Sequence, residues 1–481
     1  GGHNGLVAAA YLGRTGLRTL VLEAREKVGG PAGTWEFIPG YKTAVTNSPG
    51  SFEPRFVEDL GLRSHGLVFH SVDPTLVQPL ERERLFVGHR DRRRTAEQLD
   101  AFHQGDAAGY SALFDFVQSF ANRARVSLFR EPPSLAELVA NLTTLEDQAD
   151  FGQLILGSAS ELAHRFLASE EARAIVTTLA TAGGPGSPSI PGTNMNLLMR
   201  PFSLAEVQIA DGYDPRTSPL RGSTGLPEGG MGAIVAALER SVLALGGEVR
   251  TGARVARIRS ANGRALGVTL ANGDEYDAPV VISAVDPKTT IAALTVDDPG
   301  WDEFRAGLRP AKNAEGAVKV VLALDGLPRW RSAEGFAPAE YSAAQFRIAT
   351  SEQYLEDAYA DALRGEIPSA PVIFGLIPSA TSPGMAPEGH HVMSLNLNGP
   401  RRLARGDWAS RKGEMIENTV ATLSRWMPEL PSMVVDSRCI TPDDFANEFG
   451  LVDAEISHGE MLPGHMFWMR PHPRLADYRT P

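Results

Sequence analysis

The sequence predicts an α/β fold in which a Rossmann-like nucleotide-binding part is joined to an α+β part assembled from separated segments. Three observations carry this. The chain opens on a glycine turn, Gly1-Gly2-His3-Asn4-Gly5, followed by a small-residue helix and a short apolar strand. A second glycine block, Gly229-Gly230-Met231-Gly232, leads into another helix and then into short strands divided by Asn262-Gly263 and Asn272-Gly273. Apolar strand-like runs such as 318–324 lie outside both blocks.

A complete dinucleotide fingerprint reads G-x-G-x-x-G after a buried strand. Gly2 and Gly5 take its second and third glycine positions and Gly1 the variable one, so the strand and first glycine are expected upstream and the chain reads as a fragment. Residues 6–12 (Leu-Val-Ala-Ala-Ala-Tyr-Leu) predict a helix that Gly13-Arg14-Thr15-Gly16 ends. Residues 17–22 predict a parallel strand that stops at Glu23. An acid about 20 positions after the glycines holds ribose hydroxyls in a dinucleotide site. Glycines let backbone approach a pyrophosphate, and the helix N-terminus offers free N–H groups and partial positive charge. A carboxylate repels a 2′-phosphate, so an unphosphorylated ribose is favoured. A chance glycine turn before a helix accounts for Gly2 and Gly5 alone, but not for the strand and Glu23 as well.

The next elements follow in order. Phe86-Val87 lies in a short strand region, residues 95–180 are mainly helical by pattern, as over 110–126, and the glycine- and proline-rich 184–192 is a loop. After the second glycine block, Ile234, Val235, Leu238, Val242 and Leu245 share one helix face that Gly246-Gly247 closes. Strands are expected at 254–259, 265–270 and 275–278, then a buried strand at 280–283 (Val-Val-Ile-Ser) before Asp286-Pro287. Further strands are expected at 318–324, 372–376 and 391–395, and a long helix at 413–427.

Composition excludes several classes. A net charge of −12 makes no electrostatic case for nucleic acid, and the one basic run, Arg90-Asp91-Arg92-Arg93-Arg94, reads as a solvated loop. Of 46 basic residues only six are lysine, a bias that points to a GC-rich bacterial genome; a cytoplasmic location is expected. The single cysteine, Cys439, rules out an intramolecular disulfide and a redox-active cysteine pair. No apolar run reaches the length of a membrane span. There is no H-E-x-x-H, no cysteine metal cluster and no G-x-S-x-G elbow, so no metal is expected.

Residues 21–30 (Val-Leu-Glu-Ala-Arg-Glu-Lys-Val-Gly-Gly) and Thr34 resemble the second signature of glutathione-reductase-type FAD enzymes of the amine oxidase and phytoene desaturase kind. The resemblance implies FAD as cofactor, with Gly1, Gly2, His3, Asn4, Gly5, Glu23, Ala24, Arg25, Gly29, Gly30 and Thr34 at its site, and with the Val255 backbone pairing to adenine. An arginine often follows the twin glycine in amine oxidases. Here it is Pro31, which favours the desaturase branch. The ordered segments Thr441-Pro442-Asp443-Asp444-Phe445, Phe449-Gly450-Leu451, Ser457-His458-Gly459-Glu460-Met461, Phe467-Trp468-Met469-Arg470-Pro471 and Tyr478-Arg479-Thr480-Pro481 resemble the pyridine nucleotide-disulphide oxidoreductase domain-containing protein 2-like family, a phytoene-desaturase-related branch of FAD oxidoreductases. In that family a strand and a His-Pro-Gly-Gly-Gly segment follow the last Thr-Pro, so the cofactor cradle is expected to be cut at both ends.

The resemblance implies an FAD-binding part at 1–75, 226–305 and 436–481 and a substrate part at 76–225 and 306–435. Its expected chemistry is hydride transfer between FAD and an apolar, isoprenoid-like small molecule. With one dinucleotide loop and no cysteine pair, the electrons are expected to leave to oxygen or a quinone, not through NAD(P). Contact with a membrane is expected to be weak and peripheral, because the negative charge opposes anionic lipid. His458 is the candidate catalytic residue, against a structural histidine. His390-His391 and Phe467-Trp468 are read as structural, the first because adjacent strand residues face opposite ways. An FAD amine oxidase and a non-catalytic protein of the same fold are the alternatives.

Overall fold

The computed structural model describes residues 1–47, 52, 54–204, 225–308, 313–459, 461–476 and 479–481. Helix α1 (His3–Arg14) starts directly on the glycine turn and buries Leu6, Ala9 and Ala10. It leads to β1 (Leu20–Leu22) and then to a hairpin of β2 (Trp35–Ile38) and β3 (Tyr41–Thr43). Next come β4 (Leu76–Pro79) and β5 (Leu85–Gly88), which precede the helical region. There α2 (Asp106–Ala124) buries Tyr110, Leu113, Val117, Phe120 and Ala124 at three- and four-residue spacing. Helix α3 (Glu170–Thr181) is buried along nearly its whole length and is a core helix. Shorter helices between them begin on capping boxes, Ser134 with Glu137, Thr144 with Asp147 and Ser158 with Glu161.

Helix α4 (Met231–Ala244) begins at the second glycine block and packs on α1 through Ile234, Val235 and Leu238. After it, β6 (Glu248–Arg250) pairs in parallel with β1, Leu20 opposite Glu248. An antiparallel three-stranded sheet follows, β7 (Val255–Ala261), β8 (Arg264–Leu270) and β9 (Glu275–Asp277).

The expected buried strand at 280–283 is not formed. Residues 280–284 form no strand and pair with none among the described residues, and Val280 and Ile282 are exposed. The apolar run has the composition of a buried strand, but burial of such a strand requires neighbours on both sides, and the described residues supply none.

The largest sheet has seven strands. Its later members are β10 (Glu315–Leu324), β11 (Gln345–Ile348), β12 (Ile373–Leu376) and β13 (His391–Pro400), then helix α5 (Trp408–Ser424) and β14 (Val434–Ile440), giving the order β14-β10-β13-β12-β11-β4-β5. Strand β14 pairs with β10, so residues up to 440 join this sheet, where the nucleotide-binding part was expected to resume at 436. Strand β10 is buried on both faces. Val318, Val320 and Leu322 pack under Trp330, Trp408 and Met415; Ala317, Val321 and Ala323 meet Phe37, Tyr41 and Val45 from the β2–β3 hairpin. A fully buried side chain of this kind stabilises by about 1.5–3 kcal/mol, so the strand is a rigid floor between two cores. Among the described residues no helix is long and apolar enough to cross a membrane.

Candidate functional site

The two glycine turns lie side by side. Gly29 N–H donates to Gly1 O at 2.8 Å, and Gly2 forms an isolated parallel bridge with Gly29. A Cβ on Gly1 would sit 2.5 Å from Glu23 Oε2, so a side chain there would displace the carboxylate. Gly29, at φ +125°, turns where a Cβ would sit 2.7 Å from Gly33 Cα. Glu23 is buried; its Oε1 accepts Arg25 N–H at 2.9 Å, and its Oε2 lies 3.2 Å from the Gly1 amino group. Glu23 also donates its N–H to Arg250 O and accepts from Ala253 N–H, which sets it beside the start of β7, where Val255 stands.

The Arg25 guanidinium lies between two rings, 4.3 Å from the centroid of Trp35 and 4.7 Å from that of Phe449. Its Nη1 is buried without a hydrogen-bond partner. Ala24 and Asn4 are exposed at the rim. Thr34 Oγ1 accepts Gly232 N–H at 3.1 Å, and a Cβ on Gly232 would fall 2.7 Å from Thr34 N. Thr34 therefore ties the first glycine region to the second, with its hydroxyl engaged on α4.

A histidine pair flanks the first turn. His3, the first residue of α1, is largely buried with Nδ1 unpartnered; burial, and then the nearby His458, hold it below the ordinary histidine value. His458 Nδ1 donates to Asp286 Oδ2 at 3.0 Å, and Asp286 is buried.

Where the α4 turn meets the large sheet there is a small, partly open cavity. Its apolar wall includes Ala44, Leu226, Met231, Leu376 and Met385; its polar wall is Thr43, Thr46, Asn47, Thr381 and Ser382, with no charged group and no aromatic ring among the described residues. One hydrogen bond behind Asn47 sits Lys319, fully buried on β10. Its Nζ donates to Ser394 Oγ (2.7 Å), Asn396 Oδ1 (2.9 Å), Asn47 Oδ1 (3.0 Å) and Val45 O (3.3 Å). Among the described residues no countercharge balances the ammonium, and burial pushes Lys319 down to about 7. Four residues earlier on the same sheet face, Glu315 accepts Gly186 N–H at 2.6 Å. Burial, opposed by the bonds from Gly186 and Asn398, pushes Glu315 up to about 8.

Comparison with known proteins settles the family, because residues 5–444 match that of the flavin containing amine oxidoreductases. The chain belongs to the flavin-containing amine oxidoreductase family. Within it, the chain is similar to the pyridine nucleotide-disulfide oxidoreductase domain-containing protein 2 of Rattus norvegicus, at 29% identity over 100% of this chain and 87% of that one. It is also similar to the lycopene-forming phytoene desaturase of Pseudescherichia vulneris, at 25% identity over 99% and 91%. A solved putrescine oxidase variant shares the fold, with a TM-score of 0.59 at 16% identity over 100% of this chain and 89% of that chain. The chain is an FAD-dependent oxidoreductase with a Rossmann-like FAD-binding fold.

The residues present fit FAD. Gly1 and Gly29 form a cradle that a Cβ would fill, Glu23 is a buried carboxylate beside the turn, and Arg25 Nη1 and His3 Nδ1 are buried polar atoms in want of a partner. The structure gathers Gly1, Gly2, His3, Gly5, Glu23, Arg25, Gly29 and Gly30 around the first turn, while Val255 lies one strand away and Thr34 is turned to α4. Phe467 and Trp468 stack at 6.1 Å between ring centroids and pack on the helical core. His390 bonds Tyr41 and His391 bonds Ser379, and no metal-holding cluster occurs among the described residues. Sequence reasoning passed over Lys319, Glu315 and Asp286. The signal for Lys319 was present as one charge inside an unbroken apolar strand.

Proposed function

We propose that the protein is a desaturase- or dehydrogenase-type member of this family, acting on an elongated or isoprenoid-like apolar substrate. The observation that carries this is the cavity wall, which among the described residues has hydroxyl and amide groups but neither a carboxylate to hold an ammonium nor an aromatic ring to cage an amine. The likeness over the full chain to a lycopene-forming phytoene desaturase supports the same reading, as does Pro31 after the twin glycine.

FAD, when bound, would supply the hydride acceptor for a substrate carbon. The residues that would hold it are Gly1, Gly2, His3, Asn4, Gly5, Glu23, Ala24, Arg25, Gly29 and Gly30, with Thr34 and Val255 at the edge of the site. The neighbouring carbon loses a proton as the carbon–carbon single bond becomes double, so one hydride and one proton leave per turnover. The neutral Lys319 amine is the base nearest the cavity: it lies behind the wall, held by Asn47, which lines the cavity, and by Ser394. A group titrating near 7 exchanges that proton readily at neutral pH. The electrons pass to oxygen or a quinone.

The test is product analysis under aerobic turnover. Phytoene presented in lipid vesicles is expected to lose pairs of hydrogens by mass. Release of ammonia with an aldehyde from putrescine or a ketone from cyclohexylamine, with phytoene unchanged, would overturn the assignment in favour of an amine oxidase.

A further inference from the structure

We infer that Asp286, His458 and His3 form a proton-taking clamp on the diphosphate of the bound dinucleotide, a role that rests on the FAD reading of this site. Three distant parts of the chain meet at one turn. His3 opens α1, whose free N–H groups are the anion-facing end of the helix. The segment before Asp286 lies under the same turn, since a Cβ on Gly5 would sit 3.3 Å from Ala284 Cβ. His458 comes from the far end of the chain and is fixed to Asp286 at 3.0 Å.

The hydrogen bonds assign the tautomer. Asp286 Oδ1 accepts Lys288 N–H at 2.8 Å and Oδ2 accepts from His458, so Nδ1 of His458 is the donor and Nε2 is outside that bond. His458 holds a left-handed backbone, φ +54°, that a residue with a Cβ rarely adopts. Neighbouring contacts keep it there: Ser457 Oγ donates to Gly183 O at 3.2 Å, and Arg470 donates to Ser457 O.

The charges around the pair are otherwise committed. Lys288 is ion-paired with Asp453 and Glu455 with Arg401, while Arg470 is engaged on the Ser457 carbonyl and also faces Asp286. Pro31 follows the twin glycine, so no cation comes from there. In the protein without ligand burial, and then the nearby His458, disfavour protonation of His3. A diphosphate on the turn reverses that balance, so binding takes up a proton and tightens as pH falls from about 8 to 6.

The experiment is calorimetric titration of the full-length protein with FAD and with ADP-ribose, at pH 7.0, in buffers of different ionisation enthalpy. ADP-ribose carries the same diphosphate and no flavin. The expected result is uptake of about half to one proton with either ligand. His458→Gln and His3→Gln each should at least halve that uptake and weaken ADP-ribose at pH 6.5 about tenfold. Asp286→Asn keeps the helix cap and should move the pH dependence to lower pH while the protein stays folded. Unchanged uptake in all three variants overturns the clamp. Uptake with FAD but not ADP-ribose places the imidazoles on the flavin and overturns the diphosphate assignment. FAD binding without any uptake refutes the clamp alone, whereas failure of every form to bind FAD refutes the cofactor reading beneath it.

Discussion

Replacing Lys319 with Met removes the amine and keeps an unbranched side chain of similar length. Two effects follow, and pH separates them. The four oxygens that Lys319 contacts lose their donor, a constant penalty of about 1–3 kcal/mol for each that stays unsatisfied. The titration effect is not constant. The native amine sits at about 7 against an ordinary 10.5, so the unfolded chain binds more protons between those values and stability rises with pH across the window. Lys319's contribution is complete above about 10.5 and gone below about 7. At about 1.36 kcal/mol per pH unit, the stability difference between wild type and Lys319→Met should move in favour of wild type by roughly 2–3 kcal/mol from pH 8 to 10. Urea unfolding of both proteins at pH 7, 8, 9 and 10 measures it. Working with the difference removes every group the two share, Cys439 included, whose thiol burial pushes up to about 12. A difference that stays flat from pH 8 to 10 would show that the native ammonium keeps its ordinary proton affinity, and it would remove Lys319 as a base near neutrality.

Four other outcomes are expected. Glu315→Gln should gain on wild type as pH rises from 4.5 to 8, because a carboxyl raised to about 8 contributes stability that is complete below 4.5 and lost by about 8; parallel urea midpoints across that range would contradict it. Glu23→Ala should weaken FAD binding about tenfold or more, by loss of charge-assisted hydrogen bonds, and an unchanged titration would take Glu23 out of the site. Gly232→Ala should destabilise by about 1–3 kcal/mol, since its Cβ would press on the Thr34 backbone at 2.7 Å; a neutral substitution would mean that the Thr34 segment yields freely. Stopped-flow mixing of the oxidised flavin-loaded protein with NADH or NADPH should leave the flavin unbleached at micromolar nucleotide, and rapid bleaching would reveal a nicotinamide site.

Local physics decides which parts of this molecule are legible in its sequence. The glycine turn, α1 and Glu23 can be read because a close backbone approach demands glycine at fixed spacing and because strand β1 ends where the acid stands. The helix after Gly230 and the strands around Asn262-Gly263 and Asn272-Gly273 follow from turn chemistry. The run at 280–283 misleads because apolar composition reports a preference for burial, while burial itself depends on neighbouring strands. Asp286 and His458 are 172 residues apart, and Arg25 meets Phe449 from the opposite end of the chain, so neither pairing leaves a local pattern. Lys319 shows the limit differently. Its charge stands out in an apolar strand, yet only the three-dimensional arrangement shows that Asn47, Ser394 and Asn396 enclose it beside a cavity.

Anaerobic stopped-flow of the flavin-loaded full-length protein, followed at the flavin absorbance band near 450 nm, tests the central claim most directly. Phytoene in vesicles should bleach the band in a single substrate-dependent phase. That phase should slow as pH falls below 7 in wild type and be slow at every pH in Lys319→Met. Bleaching by putrescine or cyclohexylamine with no response to phytoene, or a phytoene phase unaffected by Lys319→Met, would contradict it.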